Sequence, residues 1–216
     1  MTSFAKKVNQ FNRELEFSEK LPRDIRVMNP FKDNEEILKV CEAFYGEFYN
    51  DTERRKLILG INPGRLGAGA TGIPFTDTKR LSDICNIDIE SFRTHEPSSV
   101  FIYNLIEKFG GPKKFYHKFY INSVCPLGFV EQNLKGNWVN CNYYDYNELF
   151  SVIRDFIISS LKLQISFGID TSVCFVLGKK NAKYLSAINE KEGMFDSIVP
   201  FDHPRYIVQY KSKHKD

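Results

Sequence analysis

Lys56-Leu-Ile-Leu-Gly-Ile-Asn-Pro-Gly-Arg-Leu-Gly-Ala-Gly-Ala-Thr-Gly-Ile-Pro-Phe75 carries the reading of the fold. Its apolar run, Leu57 to Ile61, is short and uninterrupted and then stops at Asn-Pro-Gly. This predicts a buried strand that feeds a loop. Similar runs lie outward from it. Phe119-Tyr-Ile-Asn-Ser-Val-Cys125 is stopped by Pro126, Ser172-Val-Cys-Phe-Val-Leu177 is followed by Gly178, and Ser197-Ile-Val-Pro-Phe201 ends at Asp202-His-Pro-Arg205. Helical periodicity lies between and before them, over 3–18, 35–49, 97–109, 145–166 and 179–191, with Asp33 and Asn34 as caps for the second helix. Residues 129–144 are polar and aromatic and read as a long loop. Strands alternating with helices predict an α/β fold with a mainly parallel sheet of four strands covered on both faces. Sites in such sheets lie at the carboxyl ends of the strands, where Asn62, Asn122 and His203 all fall.

Composition sets the bounds. A chain of 216 residues suits one domain, 1–216, with residues 1–24 read as a helical N-terminal extension. Apolar residues make up 42% and charged residues 26%, as in an ordinary globular protein. The 14% aromatic share serves either a core or platforms for stacking bases. A net charge of +3 says little for or against nucleic acid. The five cysteines are odd in number and form no C-x-x-C pair, which argues against a disulfide framework and against zinc or iron–sulfur ligation. Free thiols in a reducing cytoplasm, no metal, and no membrane segment are the expectations.

The glycine-rich stretch allows close backbone approach to a ligand. The bland alternative is a strand-to-helix loop that merely turns. It has no G-x-x-x-x-G-K-[ST] and no dinucleotide-binding fingerprint. Asn62 before Pro63 is either a turn residue or a reactive-site amide, and a lone Phe75 reads first as core. Asn122 inside an apolar strand needs hydrogen-bond partners, from protein or from ligand. His203 sits at a turn, whereas His95, His117 and His214 lie in polar or basic surroundings. Cys125 reads as a buried strand end. Gly110–Phe119 interleaves cations and aromatics, and the tail carries Arg205, Lys211, Lys213 and Lys215; both are either DNA-facing or solvated surface.

Taken together, the motifs resemble the uracil-DNA glycosylase superfamily, in particular its single-strand-selective monofunctional (SMUG) branch in a bacterial form. Gly60-Ile-Asn-Pro-Gly64 is similar to the first motif of that branch, and Thr71, Gly72, Pro74 and Phe75 follow in register. Met28-Asn-Pro-Phe31 resembles an upstream element. Asn122-Ser-Val-Cys-Pro-Leu127 resembles an Asn-x-Cys-Pro-Leu element with one residue inserted, and Asp202-His-Pro-Arg205 resembles the second catalytic motif. The resemblance covers roughly residues 25–205.

It implies a three-layer α/β/α sandwich and a cofactor-free, monomeric enzyme that hydrolyses the N-glycosidic bond of uracil or a 5-modified uracil in single- or double-stranded DNA, in the cytoplasm at the nucleoid. Asn62 would position the attacking water. His203 would hydrogen-bond the departing base, Phe75 would stack on it, and Asn122 would read its Watson–Crick edge. The Ile61 and Gly64 backbone would line the pocket, and Arg65, Arg205 and Tyr206 would contact DNA. Two other classes stay open: a protein of the same fold that binds damaged DNA without cleaving it, and a nucleotide-binding protein using the glycine-rich loop. A binder needs neither Asn62 nor His203, and the missing phosphate-loop lysine counts against the last.

Overall fold

A computed structural model describes residues 2–210. The apolar run that begins at Leu57 belongs to strand β2, Arg55–Gly60. It is the second strand of a four-stranded sheet ordered β3-β2-β6-β7, with β3 at Phe119–Ser123, β6 at Ile169–Leu177 and β7 at Ile198–Phe201. All three pairings are parallel. Parallel crossovers are right-handed. The β2-to-β3 connection runs toward one edge, and the β3-to-β6 and β6-to-β7 connections run toward the other. They therefore lie on opposite faces, and the sheet is the middle of three layers. One connection carries α3 (Ala68–Thr71), α4 (Thr78–Cys85), α5 (Pro97–Lys108) and α6 (Pro112–Lys118). The others carry α7 (Asn147–Ile165) and α8 (Lys179–Glu192).

The expected long loop at 129–144 is an antiparallel hairpin instead. Strands β4 (Gly128–Gln132) and β5 (Trp138–Cys141) pair, and β1 (Arg26–Met28) adds to β4. Asn133 builds the turn by accepting the N–H groups of Lys135 and Asn137 through Oδ1, with Gly136 at φ +76°. This is local Asx-turn chemistry. β4 is buried at Gly128, Phe129 and Val130 while β5 is only half-buried, and neither short strand carries an apolar alternation that announces it.

Helix α1 (Phe4–Glu14) buries Phe4, Val8 and Phe11 and packs against α2 (Glu35–Phe48). Ser3 and Asn34 cap the two helices by accepting the N–H of Lys6 and of Ile37. Phe4 also stands edge-on to Tyr120 of β3, at 5.1 Å between ring centroids, so the N-terminal helix is part of the core. Beside it lies Arg55, fully buried. Its guanidinium reaches Asp51 twice at 2.8 Å and Tyr116 O at 2.7 Å, and lies against the rings of Phe4 and Tyr49. A buried guanidinium is tolerated only with such complete pairing. Much of the aromatic share sits in this cluster with Phe44, Tyr45 and Tyr116, as core and not as a stacking platform. The basic stretch at 110–119 behaves likewise, since Phe115 and Tyr116 point inward.

All five cysteines are buried free thiols. Burial pushes the Cys125 thiol up to about 12, which removes it as a nucleophile. No helix among the described residues is long and apolar enough to cross a membrane.

Candidate active site

The segments that leave the carboxyl ends of β2 and β7 border a cleft of about 230 Å³. Its lining includes Ile61, Asn62, Gly64, Phe75, Glu96 and His203. Behind this lining Gly60 and Ser123 lie beside the Phe75 ring and Gly178 lies beside His203, since each follows or closes a parallel strand.

Asn62 is clamped. Its Nδ2 donates to Cys141 O at 3.2 Å, and its Oδ1 accepts the N–H of Tyr143 at 3.0 Å. Both partners come from the end of β5, so the hairpin absent from the sequence reading fixes the amide. Each bond uses one of two donors and one of two acceptor lone pairs, which leaves one of each for a ligand.

Phe75 has φ +53°, a conformation rare and strained for a bulky residue. A Cβ on Gly60 would lie 2.8 and 2.9 Å from two carbons of the Phe75 ring. The ring therefore closes onto β2 only because position 60 is glycine. It is almost fully buried, yet it lines the cleft, 6.0 Å from the His203 ring.

His203 begins the turn into α9 (Pro204–Tyr210). Its Nδ1 accepts the N–H of Arg205 at 3.2 Å. In the neutral ring that bond puts the proton on Nε2, which becomes a donor. Burial, helped by the Arg205 charge, lowers the imidazole to about 4. The ring is therefore neutral at physiological pH.

Asn122 departs from its expected place. It is buried with Tyr120 on the face away from Phe75, and its Nδ2 donates to Tyr120 Oη at 2.8 Å and to Gln164 Oε1 at 2.6 Å. Its Oδ1 accepts the Ser123 N–H. It does not line the cleft. Alternation along β3 turns Ser123 the other way, with Oγ 3.5 Å from the Cβ position of Gly60, beside the Phe75 ring. Counting back from Cys125 with no insertion also reaches Ser123, and that was the available signal. Asn122→Ala is expected to cost about 2–3 kcal/mol of stability by stranding buried groups of Tyr120 and Gln164. Denaturant unfolding measures it, and an unchanged midpoint would contradict a structural role.

A second compartment of about 430 Å³ joins the first, lined by Arg65, Leu66, Arg205 and Gln209 among others. Arg65 donates its backbone N–H to Asn140 Oδ1, and its side chain is exposed. Tyr206 is half-exposed on α9, 5.3 Å from Tyr210, and lies outside both compartments. Lys211, Lys213 and Lys215 lie outside the described residues. Glu96, Asn140 and Asn142 line the cleft but carry no sequence motif.

The family described as Uracil DNA glycosylase superfamily matches residues 47–216. The chain belongs to this superfamily, a class of hydrolases that act on N-glycosyl bonds. Within it the chain is SMUG-like. It is 50% identical to the SMUG2 protein of Pedobacter heparinus, with 100% of this chain and 93% of that chain covered and a TM-score of 0.96. Among curated proteins, no sequence matches.

Proposed function

We propose that the chain excises uracil, or a uracil substituted at C5, from DNA by hydrolysis at C1′ of a flipped nucleotide, acting as a single copy in the cytoplasm. The observation that carries this reading is the His203 Nδ1 bond to the Arg205 N–H. It sets up a neutral Nε2 donor in the cleft that holds Asn62 and Phe75. Cleaving the glycosidic bond sends negative charge into the base. A fixed donor in a water-poor pocket stabilises that charge as it forms, typically by about 3–4 kcal/mol.

In this reading the base enters against Phe75 and stacks on its ring, between the Ile61 and Gly64 backbone. His203 donates to O2. Asn62 holds the water through its remaining donor and acceptor. Asn122 keeps its core bonds, so a contact from β3 to the edge of the base falls to Ser123, which lies behind the cleft lining with its Oγ on the Phe75 side of Gly60. Arg65 and Arg205, in the outer compartment, meet phosphates and position the strand without reading its sequence. Tyr206, exposed on the adjoining helix, is in reach of the neighbouring base step. Extrusion costs least where the base is unpaired or mismatched.

The test is direct. Uracil-containing oligonucleotides, single- and double-stranded, are incubated with the protein and then treated with alkali. Strand breaks at the uracil are expected on at least one form. Folded protein that binds both and breaks neither would make it a lesion-binding protein instead.

A further inference from the structure

Glu96 is the one acidic side chain among the described residues that line the cleft. It precedes Pro97 at the start of α5 but does not cap that helix with its side chain. Its carboxyl turns toward the glycine-rich loop. Oε1 lies 3.9 Å from the Cβ position of Gly64, and a Cβ on Gly67 would collide with Oε2. Oε2 is buried with no hydrogen-bond partner among the described residues. A buried, unpaired carboxyl oxygen is costly and calls for an explanation.

Its position offers one. Glu96, Gly64, Ser98, Asn140 and Arg205 line both compartments. With the base in the inner compartment and the phosphates in the outer one, the deoxyribose and its C1′ lie at this junction. The chemistry there lacks a base. Asn62 orients water but is a poor proton acceptor, and the positive charge that grows on the sugar has no other carboxylate in the cleft.

We propose that Glu96 is a further catalytic residue, the carboxylate that takes the proton from the attacking water and faces the developing sugar cation. The inference rests on the function proposed above. The water oxygen bonds to C1′, and the C1′–N1 bond breaks with its electron pair leaving on the base. One water proton passes to Glu96. The departing anion is held by the His203 donor, and the Glu96 proton then returns to solvent or to the base.

The surrounding charges fit a group that titrates near neutrality. Burial, then the charge of Asp77, raises the carboxyl to about 7, against the pull of Arg205. Asp77 stays ionised despite its burial, because the N–H groups of Glu96 and Arg80, the Ser99 hydroxyl and the Arg80 charge hold it below the usual value. His95 lies 3.5 Å from Asp77. Arg65 and the neutral His203 complete the ionisable groups around the two compartments.

Single-turnover release of uracil from an oligonucleotide, followed from about pH 5.5 to 9, tests this. The wild-type rate should climb with pH and level off above about 7, as the carboxylate forms. E96Q should lower the plateau by on the order of 10²-fold and flatten the profile, with binding to an abasic-site oligonucleotide unchanged. A flat wild-type profile overturns the proposal without any variant. So does E96Q with the wild-type rate, or with a lowered rate that keeps the wild-type profile, since either leaves Glu96 no proton to take. Wild-type protein that releases no uracil at all would overturn the function itself, which is a distinguishable result.

Discussion

Replacing His203 by Ala is expected to slow base release by about 10²- to 10³-fold in single turnover, the range for removing one preorganised donor from a developing anion. The loss should appear in the chemical step and not in affinity, because the donor strengthens only as charge reaches the base. The neutral ring sharpens the expectation. With the imidazole lowered to about 4 by burial and Arg205, His203 does not titrate in the neutral range. Its removal should scale the pH–rate profile down without moving it. A profile that shifts, or an unchanged rate, would refute the assignment. The same lowered value carries a folding cost. The unfolded chain takes up its proton first, so this site withdraws stability as pH falls from about 6.5 to about 4 and costs nothing above that window.

Asn62→Ala should also reduce the single-turnover rate by on the order of 10²-fold or more, with DNA affinity little changed. Here the loss is of position. Water that is not held in line with C1′ gives up much of the advantage of proximity, and displacements near 1 Å already cost about 10²-fold. The variant also frees Cys141 O and the Tyr143 N–H. It should therefore loosen the end of β5, visible as faster amide exchange at Tyr143. Normal cleavage by Asn62→Ala would remove this residue from the mechanism.

Strand β2 and the second half of β6 were legible because a strand covered on both faces is apolar along its length, and β7 because its Ile198-Val-Pro-Phe201 run is apolar although half-exposed at the sheet edge; each is stopped by a conspicuous signal: Asn62-Pro63, Gly178 or Asp202. The hairpin was not. Trp138-Val-Asn-Cys141 is half-exposed and gains its strand form from pairing with β4, a non-local cause that no window reports. Asn62 and His203, the pair proposed to carry the chemistry, stood out through motif register, and both line the cleft. Asn122 was misread for a geometric reason: alternation sends Asn122 and Ser123 to opposite faces, and nothing in the chain says which face carries the cleft. Glu96 was invisible because a glutamate before Pro97 looks like any helix start. Only the fold brings it beside Gly64 and Gly67.

The clamp on Asn62 constrains how this lineage can change. On chemical grounds an aspartate at position 62 would place a second carboxylate next to the water, beside the role proposed for Glu96. In this scaffold the second side-chain atom faces the carbonyl oxygen of Cys141 at 3.2 Å, and a carboxylate would bring two acceptors together there. The single substitution therefore carries an electrostatic cost that falls away once the turn after β5 moves its carbonyl. An exchange of amide for acid at this position is easiest in company with a change in the hairpin.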